Sequence, residues 1–227
     1  SSNKSKRGIL LTFDDGYKDH FYCSEYLHEK NLSAIFSPPV NSSKGELLDV
    51  NLIHILLGTR GIDKQKILDE ISSLCFLKSA KLNLNGETLN IDDYINHFKN
   101  YDSYDSIINQ LIKKILQRDI ISLDYRKEFC NFIFNKFVGK NPNQEATNLY
   151  LSKKEMNRMK SLGMYFGSHG LNHMWLGYLN KKNQFQEIKD SFDFLIENSL
   201  IKNQDPLIMC YPFGSYNNET IAIMNSL

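Results

Sequence analysis

The sequence predicts an α/β protein, a barrel-like set of parallel strands and helices interrupted by a long helical block. Three observations lead there. Short apolar runs at 8–13, 164–168 and 207–211 read as buried strands. Helical patterns alternate with them, as parallel strands require. Each run ends in a polar or turn-forming cluster, and parallel α/β folds place their working site at the carboxyl ends of the strands.

Taken in order, Gly8-Ile9-Leu10-Leu11-Thr12-Phe13 gives a strand over 8–13, stopped by Asp14-Asp15-Gly16. A helix of about 18–30 follows, then a strand over 32–37 closed by Pro38-Pro39. Residues 41–148 show no strand pattern and read as helices near 48–58, 63–79, 91–99, 103–117 and 122–138. Ile107-Ile108, Leu111-Ile112 and Ile115-Leu116 keep the i, i+3/i+4 rhythm of an amphipathic helix. The block is long for a connection and is expected to be a helical insertion shaping a substrate cleft, with 1–40 and 149–227 as the barrel portion. Ser152 and Glu155 form a capping box opening a helix over 152–162, which Gly163 ends. A strand at 164–168, a helix at 181–199, a strand at 207–211 and a last helix from about 217 complete the order.

Composition narrows the function. With 27 basic and 26 acidic residues the formal net charge is +1, too balanced for a nucleic-acid-binding surface. No apolar run approaches the roughly 20 residues of a membrane span. The four cysteines, Cys23, Cys75, Cys130 and Cys210, have no CxxC spacing and fit reduced, mostly buried thiols of a cytosolic protein. The stretch 1–7 reads as a trimmed end from which a targeting segment could have been removed.

The chemistry sits at the strand ends. Asp14 and Asp15 are adjacent carboxylates that repel each other. A fold tolerates that when a cation lies between them or when one acid holds a proton; the alternative is a plain Asp-Gly surface turn. His169 and His173, four apart in Gly167-Ser168-His169-Gly170-Leu171-Asn172-His173, would share a face of a helical turn. Two histidines and a carboxylate are a recurrent set for catalytic zinc and suit other divalent ions. Leu207-Ile208-Met209-Cys210-Tyr211-Pro212-Phe213-Gly214 is the third cluster, with Cys210 as a small apolar strand residue. His20, just after the acids, could hydrogen-bond Asp14 or a ligand. Asn172 could reach substrate or simply form the turn. Tyr94, Phe98, Tyr101 and Tyr104 could stack on sugars, against the alternative of a buried packing face.

TFDDG at 12–16, HGLNH at 169–173 and YPFG at 211–214 together resemble the NodB-homology polysaccharide deacetylases, carbohydrate esterase family 4. The resemblance covers roughly 7–40 and 149–222. It implies a distorted (β/α) barrel with Asp15, His169 and His173 as ligands of a divalent metal, most simply Zn²⁺. It implies Asp14 as the general base, and Tyr211, Pro212 and Phe213 as the oxyanion and acyl pocket. The substrate class implied is an N-acylated amino sugar in a polysaccharide or its precursor. The chain departs from the pattern at Gly170, where Ser or Thr is usual, and at Met209-Cys210, where many members carry Arg. No Leu-His motif for a general acid follows the third segment, so the C-terminal part is expected to be incomplete at Leu227. The readings that remain are a metal-dependent N-deacetylase, a deformylase of a lipid-linked sugar, and a non-catalytic carbohydrate-binding relative.

Overall fold

The computed structural model describes residues 8–98 and 106–227. They divide into two compact units, Ser1–Glu46 with Ala146–Leu227, and Leu47–Glu145.

The first unit is built on a three-stranded parallel sheet in the order β1 (Thr12–Asp14), β2 (Ile35–Ser37), β5 (Tyr165–Phe166). The register pairs Thr12 with Ile35 and Asp14 with Ser37, then Ile35 with Tyr165. Ile35, Phe36 and Ser37 are all buried, as the central strand of a covered parallel sheet must be. Helices α1 (Asp19–Glu29) and α9 (Lys153–Ser161) pack together, as do α10 (Lys181–Glu197) and α11 (Asn218–Ser226). The Ser152–Glu155 capping box forms as expected and opens α9.

The sheet corrects two expected strands. It is open and short among the described residues, and the expected barrel is not confirmed there. The strand expected over 8–13 starts only at Thr12; Ile9 and Leu10 are 92% and 70% exposed, because β2 offers no partner beyond Leu11. The segment expected as strand 207–211 contributes one parallel bridge, Ser168 to Met209, with Ser168 N–H donating to Ile208 O and Cys210 N–H to Ser168 O. Pro212 and the turn after it leave no room for a longer ladder.

The second unit packs α3 (Asp49–Gly58), α4 (Lys64–Leu77), α6 (Ile107–Lys114) and α7 (Leu123–Phe137) around Ile67, Ile71, Ile112, Phe129 and Phe134, all fully buried. Contrary to the strand-free reading of 41–148, it contains a hairpin, β3 (Leu82–Leu84) and β4 (Glu87–Leu89). The signal is Asn85-Gly86, both at positive φ, the preferred pair for a two-residue hairpin turn. Two helices went unread: α2 (Val40–Ser43) and α8 (Pro142–Leu149). The helix expected at 103–117 runs Ile107–Lys114 and widens into a π turn over Ile115–Asp119, while 103–105 lie outside the described residues. In α5 (Ile91–His97), Tyr94 is fully buried and its hydroxyl donates to Asp119; Phe98 beyond it is also buried. Both are therefore core residues of this unit rather than a sugar platform. Tyr101 and Tyr104 lie outside the described residues.

Candidate metal centre

Asp14 is the last residue of β1, and Asp15 opens the turn after it with φ 71°, a left-handed backbone that costs an aspartate energy. Gly16 completes the turn. A Cβ there would sit 2.7 Å from Pro38 Cβ, so only glycine fits. The turn is pinned from the returning chain, Leu151 N–H donating to Gly16 O and Lys18 N–H to Leu149 O.

His169 and His173 come from the loop after β5. The segment is not a helical turn; His173 has φ 58° and the two rings meet edge to face at 4.7 Å. The loop is held by Glu187 of α10, which is buried. Its carboxylate accepts from Leu171 N–H at 3.1 Å and Asn172 N–H at 2.9 Å. Asn172 Nδ2 donates to the other Glu187 oxygen, and Asn41 Nδ2 donates to Asn172 Oδ1 at 2.7 Å. Asn172 thus helps to hold the loop. Burial pushes the Glu187 pKa up while these donors oppose the rise. From α2, Val40 N–H and Asn41 N–H donate to the carbonyls of Gly170 and Leu171. Gly170 has φ 79°, and a Cβ there would lie 3.4 Å from Glu187 Oε2, which accounts for glycine where the resemblance expects Ser or Thr.

The loop delivers His169 Nε2 to 3.4 Å and His173 Nε2 to 3.1 Å from Asp15 Oδ1, with both rings almost fully buried. The three donors converge within 4.8 Å of one another. His169 Nδ1 lies 2.8 Å from Cys210 O, an acceptor only, so the proton sits on Nδ1 and the Nε2 lone pair faces Asp15. Two imidazole nitrogens and a carboxylate oxygen converging on one space fit a divalent cation. Contact with the His169 ring first, and with the His173 ring next, holds the Asp15 carboxyl well below the usual range.

Asp14 faces the same space. Its Oδ2 accepts from Cys210 Sγ at 3.2 Å, and its Oδ1 is buried with no hydrogen-bond partner. Burial first, and the bond to Asp14 next, push the Cys210 thiol up to about 12, so it stays a donor at neutral pH. His20 makes no hydrogen bond to Asp14; its ring packs on Phe13, Tyr17 and Phe36, and burial lowers its pKa. Phe213 stacks on Trp175 at 4.3 Å and meets the His173 ring at 4.6 Å, at φ 57°. Tyr211 stacks on Tyr216, and Pro212 is buried between them in sequence.

Sequence reasoning missed Cys210, Glu187 and Trp175 as parts of this site. For Glu187 a signal existed: Gln184, Glu187 and Ser191 recur at helical spacing on the face of α10 that also carries Ile188, Phe192 and Leu195, and all six are buried. Polar residues on a buried face need partners.

Residues 123–227 match the family model described as polysaccharide deacetylase, a span that includes HGLNH and YPFG. Solved structures similar to the chain include the Streptococcus pyogenes deacetylase PplD in complex with acetate, at 17% identity and TM-score 0.48, covering 99% of this chain and 54% of that one. The deacetylase domain of BpsB from Bordetella bronchiseptica follows at 12% and 0.46, covering 96% and 60%. A de-N-acetylase from Aggregatibacter actinomycetemcomitans stands at 13% and 0.45, covering 99% and 62%. The chain therefore spans between half and two thirds of the length of these proteins. No curated protein matches it.

Proposed function

We propose that this chain, a homologue of the polysaccharide deacetylases over residues 123–227, forms the site of a metal-dependent hydrolase that removes an N-acetyl group from an amino sugar of a polysaccharide or its precursor. The observation that carries the reading is the convergence of Asp15, His169 and His173 beside a second, separately held carboxylate, Asp14.

Asp15 Oδ1, His169 Nε2 and His173 Nε2 would hold the ion, for which Zn²⁺ suits the two-imidazole, one-carboxylate set. Bound there, a divalent ion supplies Lewis-acid polarisation of the amide oxygen and acidifies water. Asp14 Oδ1, buried and unpartnered, takes the proton of the attacking water. Cys210 O keeps the His169 proton on Nδ1. Phe213 and Trp175 buttress the His173 ring. Tyr211, Pro212 and Phe213 line the acyl side, and the Phe213 N–H is the donor assigned to the developing oxyanion.

The test is acyl release from a panel of N-acetylated and N-formylated amino-sugar oligosaccharides, with chelator and with Zn²⁺ added back. Acetate release that chelation abolishes and Zn²⁺ restores is the expected result. Formate release alone would move the reading to a deformylase. Stoichiometric Zn²⁺ binding without release from any sugar would reject catalysis.

A further inference from the structure

Cys210 touches both halves of the candidate machinery. Its thiol donates to Asp14 Oδ2 at 3.2 Å and its carbonyl accepts from His169 Nδ1 at 2.8 Å. The residue is itself held, because its N–H donates to Ser168 O at 2.9 Å. Among the described residues the thiol is the only hydrogen-bond donor to the Asp14 carboxylate, whose Oδ1 is buried without a partner.

A carboxylate with nothing to hold it rotates about two side-chain bonds, and a base works only when aimed at its proton. A donor fixed on Oδ2 settles that rotation and leaves Oδ1 as the accepting atom. The choice of donor has a chemical logic. A thiol donates weakly and carries no charge. It orients Asp14 without placing a charge beside it. We propose that Cys210 is a positioning residue, orienting Asp14 through its thiol so that Oδ1 receives the proton. The inference rests on the reading of Asp14 as base.

Cys210→Ala removes the donor and keeps the carbonyl; Cys210→Ser restores a donor. In the acyl-release assay kcat of Cys210→Ala should fall roughly tenfold, the size of one hydrogen bond to a charged group. KM and zinc content should stay at wild-type values, and Cys210→Ser should recover most of the rate. Adding Cys210→Ala to Asp14→Ala should cause no further loss, since both act through one carboxylate. A second readout needs neither metal nor turnover. The infrared S–H stretching band of Cys210, assigned by its absence in Cys210→Ala or Cys210→Ser, should shift to higher frequency in Asp14→Ala. Wild-type kcat in Cys210→Ala, additive losses in the double variant, or zinc loss parallel to rate loss would each overturn the proposal. Should the wild-type chain release no acyl group from any sugar, the functional reading falls. The S–H band then still decides the contact: an unshifted band removes Cys210 from Asp14, and a shifted one keeps it there.

Discussion

Asp14 and Asp15 are neighbours in the chain with opposite surroundings, and their variants should separate accordingly. Asp15 faces two imidazoles, while Asp14 faces a thiol. Asp14→Asn should keep stoichiometric zinc in metal analysis and lose kcat on the order of 10²-fold or more, as for a positioned base. Asp15→Asn should lose metal and rate together. The reverse pattern would exchange the two roles. Glu187→Gln replaces an oxygen acceptor with an NH₂ that faces N–H donors from Leu171 or Asn172. It should lower stability by about 1–3 kcal/mol in thermal unfolding and weaken zinc about 10–100-fold, as for residues that orient a metal ligand. A pH dependence accompanies it. The folded protein keeps a proton on Glu187 at pH values where the unfolded chain has lost it, because burial raises that pKa. Stability contributed by Glu187 is therefore full at low pH and falls as pH rises past the ordinary carboxylate range. Glu187→Gln should flatten that slope in unfolding measured across acid pH. Asp14, Asp15, His169 and His173 were legible because TFDDG and HGLNH occur together and resemble a known family; alone, each cluster had a plain turn or loop as its alternative. Cys210 was not, since a cysteine in an apolar run reads as packing until its neighbour is known.

At the level of elements, the places of β1, β2 and β5 were legible but not their lengths, and most helices were legible apart from α2 and α8. A helix carries its caps and its periodicity within itself, as Ser152 and Glu155 do for α9. A strand exists only where a partner lies alongside. That is why 8–13 shrank to Thr12–Asp14 and 207–211 to a single bridge. Conversely, β3 and β4 have local turn chemistry, Asn85-Gly86, that was available and went unread. The loop of 167–173 is shaped by α2 and α10 together, so its form could not be read from its own residues. This makes Gly170 informative. Gly170→Ser restores the residue type that related motifs carry, yet it places a Cβ at φ 79° and 3.4 Å from Glu187 Oε2. We expect a loss of about 1 kcal/mol or more in unfolding and weaker zinc binding by titration. Unchanged stability would mean the loop relaxes at no cost. Ser152→Ala should by contrast cost about 1 kcal/mol through the lost cap and leave zinc affinity untouched.

On the scale of the whole molecule, Leu47–Glu145 is a continuous stretch with its own buried side chains, among them Ile67, Ile71, Leu82, Ile112, Phe129 and Phe134. A unit with its own core can fold by itself. Residues 47–145 expressed alone should therefore show helical circular dichroism and a cooperative melt. A non-cooperative transition would mean that this core depends on the remainder of the chain. The first unit has the opposite construction, since two distant stretches, Ser1–Glu46 and Ala146–Leu227, must meet before its sheet exists.

The left-handed backbones at Asp15 and His173 carry a consequence for selection. Each holds a side chain where the chain would rather have none, at about 1–2 kcal/mol per residue. A library of variants sorted for abundance alone should enrich Gly at 15 and Asn or Gly at 173. The same library sorted for zinc retention should discard them. Two sites where the folding ranking and the binding ranking run in opposite directions would mark the working centre of this protein with no substrate in hand.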